Sequence, residues 1–545
     1  MKLNKDSLQN SSLWQQAGIE IPKFNLKQMV LKTREKPTWV HFGAGNIFRG
    51  FIAALQQALL DSGKSETGII AVETYDYEII DRIYKPYDNL SILVHMNGDG
   101  SLDKKVVGSI AEGLVGDVSR KEDWERLKSI FCEPSLQMAS FSVTEKGYSL
   151  TGMSGDYLPD VIYDIENGPK APKTLMSKIT ALLIERYSCG ELPIALVSMD
   201  NCSHNGEILQ KSVQKLTQNW IHKGFVDSKF LNYINNPLKV SFPWSMIDKI
   251  TPRPSEVVQK VLSELGVENT EIICTSKNTF ISQFVNAERP QYLVIEDHFP
   301  NGRMPLELAG VLFTDRNTVE QVERMKVTTC LNPLHTALAI FGCLLGYKLI
   351  ADEMKDIYLK KLVEKIGYDE GMPVVVNPGI LEPTAFINEV INERLTNPHI
   401  PDTPQRIACD TSQKMPVRFG ETIKTYINHP VLDVKSLTYI PMVIAAWCRY
   451  LMGIDDCGEV MELSPDPMLQ ELKNNTKGIK LGDVDSVQDQ LKPLLSNERI
   501  FGVNLYEVGL GYKIEGFFKE MLAGKNAVRN VLEKYINQEL CLSDV

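Results

Sequence analysis

Thr38-Trp39-Val40-His41-Phe42-Gly43-Ala44-Gly45-Asn46-Ile47-Phe48-Arg49-Gly50 runs a short apolar segment into two glycines and then into a helical pattern. In such a strand–turn–helix, backbone N–H groups of the turn approach a pyrophosphate, and the N-terminus of the following helix adds a favourable field. Gly43 and Gly45 supply the tight turn and the close approach, with Ala44, Asn46, Ile47, Phe48 and Arg49 completing the expected cofactor-binding turn. Phe48 stands where the usual dinucleotide pattern has its third glycine, so the spacing alone also describes an ordinary β–α turn. Placement favours the dinucleotide. Residues 68–74 read as a second strand that brings Glu73, or failing that Asp76, to its end. An acid there bonds the adenosine ribose hydroxyls, and no arginine follows Glu73 to receive a 2′-phosphate, so the expected cofactor is NAD.

Working outward, the first 300 residues alternate short apolar runs with helical patterns, as a parallel α/β sheet requires. Strands are expected at 38–42, 68–74, 138–144, 193–199 and 292–296, with helices at 51–60, 174–187 and 207–221. Asn97-Gly98-Asp99-Gly100 between runs 90–95 and 104–110 predicts an antiparallel hairpin interrupting the series. After about residue 315 helical patterns dominate: 318–326, 333–351, 352–366, 383–395, 417–427, 436–451 and 516–537. The expected architecture is α/β: a Rossmann-like dinucleotide-binding domain with a mostly parallel sheet over 1–315, then a mainly α-helical domain over 316–545.

The bulk numbers agree. A chain of 545 residues exceeds one ordinary core. With 58 basic against 69 acidic residues, no basic surplus exists for phosphate contacts, which argues against nucleic acid as a partner. The ten cysteines form no C-x-x-C pair and read as reduced cytosolic thiols rather than a disulfide frame. The N-terminus is polar and charged, without an apolar leader, and the apolar stretches 337–347 and 439–448 are shorter than a membrane span. A cytoplasmic protein acting on a small molecule, as a monomer or small homo-oligomer and without a membrane partner, is expected.

Chemistry concentrates at Glu323-Arg324-Met325-Lys326-Val327-Thr328-Thr329-Cys330-Leu331-Asn332-Pro333-Leu334-His335. Reducing a ketone needs a proton donor and a group that stabilises charge on the oxygen as hydride arrives. Zinc is not expected: histidines are scattered, and Cys202 with His204 is the one close Cys/His pair. None of the 19 tyrosines has a lysine four positions later, so the tyrosine–lysine dyad of short-chain dehydrogenases is excluded as well. Lys326 is left as the proton carrier, with a pKa near ~10.4 that desolvation would lower. His335 lies nine residues past Lys326, on the opposite side of one continuous helix. Pro333 is expected to end that helix and start another with Asn332 at its N-cap, bringing Lys326, Asn332 and His335 together. The plainer reading is that Asn332 merely caps its own helix. Upstream, Asn201 follows the strand 193–199 at its carboxyl end, where open α/β sheets bind ligands, and its amide can donate to a developing alkoxide.

These residues, with Ser142-Val143-Thr144-Glu145-Lys146-Gly147-Tyr148, Phe242-Pro243-Trp244-Ser245-Met246-Ile247-Asp248, Ile295-Glu296-Asp297 and Asp410-x-Ser412-Gln413-Lys414-x-x-x-Arg418, resemble the polyol-specific long-chain dehydrogenase/reductase (mannitol dehydrogenase) family from residue 39 to about 425. The resemblance implies metal-independent, nicotinamide-linked oxidoreduction with Lys326 as general acid-base. Asn201 and Asn332 would form the oxyanion site and His335 would orient substrate. Glu323 would gate proton exchange, Asp248 would lie on the cofactor side, and Arg418 would contact substrate hydroxyls. Family members place the asparagine five residues after the lysine; here the spacing is six. A hexuronate substrate adds a carboxylate, for which Arg418, Lys414 and Arg303 are the candidate cations. The expected reaction is reduction of D-fructuronate to D-mannonate with NADH. Tagaturonate reduction and mannitol 2-oxidation are alternatives, and a non-catalytic dinucleotide sensor is the alternative of another class.

Overall fold

In the computed structural model, which describes residues 1–152 and 154–540, Trp39–Phe42 (β1) is buried along its whole length. Its alternate residues serve two cores: Val40 and Phe42 pack with Ile70 and Val72, whereas Trp39 packs with Ile69 and Ala71. A strand apolar on both faces is what a sheet covered by helices on both sides demands. The other strands are Ile69–Glu73 (β2), Ile110–Val115 (β3), Met138–Phe141 (β4), Ile194–Ser198 (β5) and Val240–Ser241 (β6). They lie in the order β3-β2-β1-β4-β5-β6, every pair parallel. That is the doubly wound Rossmann order, and it reverses between β1 and β4, the switch point where such sheets bind ligands. Ala53–Asp61 (α1) covers one face; Lys121–Phe131 (α2), Leu175–Ser188 (α3) and Asn205–His222 (α4) cover the other.

Three expectations for the first 320 residues need correction. The run 104–110 is not one strand. It breaks at Gly108-Ser109, with Leu102–Val107 in a separate four-stranded sheet beside Ser91–Met96 and β3 continuing into the Rossmann sheet. A Cβ on Gly108 would lie 2.7 Å from Leu26 Cδ2, so the crossing admits no side chain. Tyr292–Glu296 lies outside the Rossmann sheet; in a separate three-stranded sheet it pairs antiparallel with Ser245–Asp248 and parallel with Leu312–Thr314. Finally, two cysteines are not reduced thiols: Cys132 and Cys189, at the C-terminal caps of the packed helices α2 and α3, form a disulfide with Cα atoms 5.5 Å apart. Their separation of 57 residues carries no sequence signal for it.

The chain falls into two units, Met1–Glu320 and Gln321–Val545. Arg316–Met325 (α5) crosses that boundary, and the second unit is built around Asn332–Leu345 (α6) and the fully buried Tyr439–Tyr450 (α7). Glu370 caps α7 from a neighbouring turn, accepting N–H groups of Tyr439 and Ile440 at 2.8 and 2.7 Å. The single helix expected at 516–537 is two, Gly511–Met521 and Ala527–Leu540, parted at Gly524. Arg316–Leu345 is long and apolar enough to cross a membrane by length and composition, but 83% of its apolar window is buried inside the protein, as in a core helix.

Candidate active site

In the first unit the glycine turn sits at the carboxyl end of β1. Gly43 has φ +103°, and a Cβ there would overlap the Ser142 carbonyl that follows β4, so glycine is required. A Cβ on Gly45 would meet nothing within 4 Å, so the space over the turn stays open to a ligand. Asn46 then begins a helix that continues through a π-turn, Phe48–Ile52, into α1. The turn thus fits a pyrophosphate: an obligatory glycine, an open approach, and a helix N-terminus behind it. Phe48, in the place of the third glycine, stacks on the His41 ring at 4.3 Å. His41 is held by Ser140 and Ser142 Oγ, each at 2.7 Å, and burial lowers its pKa to about 3, so the ring is a neutral strut. The close helix packing usually given by the third glycine falls to Gly50, whose Cβ would lie 2.9 Å from Val285 Cγ1. Arg49 is buried as scaffold, donating to Ser282 O at 2.8 Å and Asn46 Oδ1 at 3.0 Å.

The two acids expected at the ribose are engaged elsewhere. Glu73 accepts the Ala44 N–H at 3.0 Å on one oxygen and the Thr74 and Tyr75 N–H groups, each at 2.9 Å, on the other. It clamps the glycine turn to the end of β2, and burial raises its pKa. Asp76 is buried and accepts the Thr275 hydroxyl at 2.6 Å. Between them Tyr75 is 67% exposed, with the Lys277 ammonium 5.0 Å above its ring. Asp248 ends its strand buried opposite Tyr292.

Asn201 lies exposed in the turn after β5. Sequence reading missed the frame beneath it. Asn205 donates to the Asp200 and Ser245 carbonyls at 3.0 and 2.9 Å and accepts the Ser245 N–H at 3.0 Å. A Cβ on Gly206 would lie 2.6 Å from the Phe242 carbonyl, so the helix α4 can start there only on glycine. The Asp200 carboxylate accepts the Tyr148 hydroxyl and the Val143 N–H at 3.0 Å, and burial pushes its pKa up to about 7. The signal available was the pairing of Asn205-Gly206 with the resemblance segments around Tyr148 and Ser245.

In the second unit Lys326 is only 2% exposed and opens a π-turn, Lys326–Cys330, closed by the Leu331 N–H on the Lys326 carbonyl at 3.1 Å. The expected break is therefore a widened turn followed by one non-helical residue, Leu331, with Asn332 and Pro333 as the first two residues of α6. Asn332 is not the N-cap. A π-turn takes up one residue beyond an α-turn, so the nine residues from Lys326 to His335 advance as roughly eight, about 800°, on to neighbouring rather than opposite faces. The two remain about 12 Å apart along the axis, so the turn does not bring them to one point as expected. Glu323 is partly buried one turn before Lys326.

His335 Nε2 lies 3.5 Å from Asp402 Oδ2, and the ring's pKa is lowered to about 4 by burial and by Arg418, Arg406 and Arg394, against the pull of Asp402. Arg418 donates to the Thr336 hydroxyl, and burial lowers its pKa to about 10. No carboxylate lies within 4.0 Å of it among the described residues. The other two cations are already committed. Lys414 donates to the Ile407 and Cys409 carbonyls, tying off a helix end. Arg303 is forked onto Asp297 at 2.8 and 3.1 Å, bonded to Glu307 at 2.6 Å and laid on Phe313, a neutralised pillar in the first unit. Among the described residues no group of three or more His, Cys, Asp or Glu side chains is arranged to hold a metal ion.

Comparison with known proteins places this geometry. The mannitol dehydrogenase Rossmann domain matches residues 37–308, and the mannitol dehydrogenase C-terminal domain matches 318–514. A "D-mannonate oxidoreductase" of Thermotoga maritima is 57% identical over 99% of this chain and 100% of its own length. The "D-mannonate oxidoreductase" of Escherichia coli K12 is 29% identical over 86% and 92%. Pseudomonas fluorescens mannitol 2-dehydrogenase, solved as a ternary complex with NAD and D-mannitol, superposes with TM-score 0.71 at 25% identity over 99% of this chain and 100% of that one. The chain belongs to the mannitol dehydrogenase family.

Proposed function

We propose that this protein is an NAD-dependent oxidoreductase that interconverts D-fructuronate and D-mannonate. The observation that carries the reading is the 57% identity, end to end, with the Thermotoga maritima D-mannonate oxidoreductase. NADH, when bound, supplies the hydride that reduces the keto carbon. The residues assigned to hold it are the backbone of Gly43 to Phe48, pinned by Glu73, with Asp248 as a further contact. The rest of the chemistry falls to side chains of this chain. Lys326 as ammonium gives its proton to the keto oxygen as the alcohol forms, and in reverse takes the alcohol proton as a free amine. Amide N–H donors from Asn201 and Asn332 are assigned to the same oxygen, and Glu323 to proton exchange with solvent.

Arg418 is the assigned anchor for the substrate carboxylate. Burying a guanidinium without a counter-charge costs several kcal/mol, which an arriving carboxylate recovers through paired N–H···O bonds. Arg418 is preferred because Arg303 is already neutralised by Asp297 and Glu307, and Lys414 spends two of its three N–H donors on the Ile407 and Cys409 carbonyls. We place the reaction in the cytoplasm. The deciding experiment is NADH and NADPH oxidation against D-fructuronate, D-tagaturonate, D-fructose and D-fructose 6-phosphate. Preference for fructuronate with NADH is expected. Preference for another member of the set reassigns the substrate, and NADH binding with no turnover of any leaves a sensor.

A further inference from the structure

We propose that Asp402 is a positioning residue that holds His335 as the neutral Nε2–H tautomer, so that Nδ1 meets the substrate as a hydrogen-bond acceptor for a hydroxyl. The inference rests on the reading above that His335 contacts substrate. Several features of the second unit carry it. The His335 Nε2 atom is fully buried and makes no hydrogen bond; Asp402 Oδ2 faces it at 3.5 Å, one small adjustment from a bond. The side chain retains 16% exposure, and among the described residues Nδ1 makes no hydrogen bond, so the ring's open edge is the Nδ1 edge.

The acid is fixed in place. Its carbonyl accepts the Ile350 N–H at 2.9 Å, its own N–H donates to Ile400 O at 2.8 Å, and Arg406 bonds its other carboxylate oxygen. A carboxylate accepts only, so it selects the tautomer with the proton on Nε2. Arg418, Arg406 and Arg394 disfavour a second proton on the ring, as does burial, while Asp402 alone favours it. A neutral ring with Nδ1 unprotonated accepts an O–H and rejects a carbonyl or ether oxygen at that point. Arg418 reaches Thr336, the residue beside His335. Arg418, from the turn Pro416–Gly420, thus comes against α6 next to His335 and near enough for its charge to act on the ring, an arrangement that matches a sugar acid with a hydroxyl close to its carboxylate.

The test is histidine ¹⁵N spectroscopy of the full-length chain saturated with NADH, the eight histidines being sorted by loss of one signal set in His335→Gln. At pH 7 the His335 ring is expected with Nε2 protonated and Nδ1 bare; a protonated Nδ1, in either a neutral or a charged ring, overturns the proposal. Asp402→Asn is expected to give mixed tautomers and a kcat/KM about tenfold lower, the usual effect of one lost orienting hydrogen bond, with NADH affinity unchanged and Asp402→Glu partly restoring both readouts. Wild-type tautomer and wild-type kcat/KM in Asp402→Asn overturn the positioning role. Should Asp402→Asn not fold, the spectrum of the unmodified protein still decides. Failure of every sugar in the substrate panel would sink the assigned reaction while leaving the tautomer measurement standing.

Discussion

Arg418→Met tests the carboxylate anchor most sharply, because the structure predicts opposite effects on activity and on stability. The substitution keeps an unbranched apolar stem and removes a buried guanidinium whose partner in the free protein is a hydroxyl, Thr336. A bidentate arginine–carboxylate contact comprises two charge-assisted bonds of about 1.5–3 kcal/mol each, and incomplete compensation on desolvation leaves about 3 kcal/mol. That is about 150-fold in kcat/KM for the uronate. D-Fructose, which carries a hydroxymethyl where the uronate has its carboxylate, loses one neutral hydrogen bond, about 1 kcal/mol or about fivefold. The ratio of the two kcat/KM values should therefore fall about 30-fold. Removing an uncompensated buried charge should at the same time raise the unfolding temperature of the ligand-free protein. Steady-state rates on both substrates and a thermal melt suffice. Equal losses on uronate and ketose, or a lowered melting temperature, would refute the assignment and make Arg418 a structural cation.

Lys326→Ala should lower kcat at least ~10²-fold while NADH binding, read by fluorescence titration, persists; near-full turnover would remove the lysine from the mechanism. Asp200 holds its proton to about pH 7 in the folded chain but releases it near ~3.9 when unfolded. Its stabilising contribution is thus full below about pH 4 and lost as pH rises towards 7. The melting temperature of the wild type minus that of Asp200→Asn should shrink across that window, and a difference that is flat or grows contradicts the burial argument. Reducing the Cys132–Cys189 bridge, which closes a 57-residue separation, should remove about 4 kcal/mol on the chain-entropy account. A reductant-induced drop in melting temperature that persists in Cys189→Ser would mean another thiol is responsible.

How far the fold was legible follows from where periodicity carries the information. Trp39–Phe42, Ile69–Glu73 and Ile194–Ser198 are apolar on both faces and flanked by helical patterns, so a parallel sheet could be read directly. The β3 strand hid because a sheet crossing at Gly108-Ser109 joins it without a turn signal to Leu102–Val107. Val240–Ser241 is too short for a period to show. The bridge between Cys132 and Cys189 exists because α2 and α3 end side by side, a tertiary fact with no local trace.

The site was legible as a set of residue types, but not in the partners that engage each side chain, even where those partners lie close in sequence. Glu73 sits where a ribose-binding acid belongs, but its carboxylate is consumed by four backbone N–H groups, three of them from the residues just after it. Arg303 has the charge for a uronate and is neutralised by Asp297 and Glu307. The cluster at Lys326 shows the reverse case. Val327-Thr328-Thr329 reads as a loosened helix end, yet Thr328 back-bonds the Arg324 carbonyl at 2.8 Å, its own carbonyl receives the Thr422 hydroxyl at 3.3 Å, and Gly371 makes room for Thr329. Those contacts hold a widened turn of five residues, which with the single non-helical residue Leu331 makes up the six-residue spacing from Lys326 to Asn332. With that winding His335 falls on a face neighbouring, not opposite, that of Lys326.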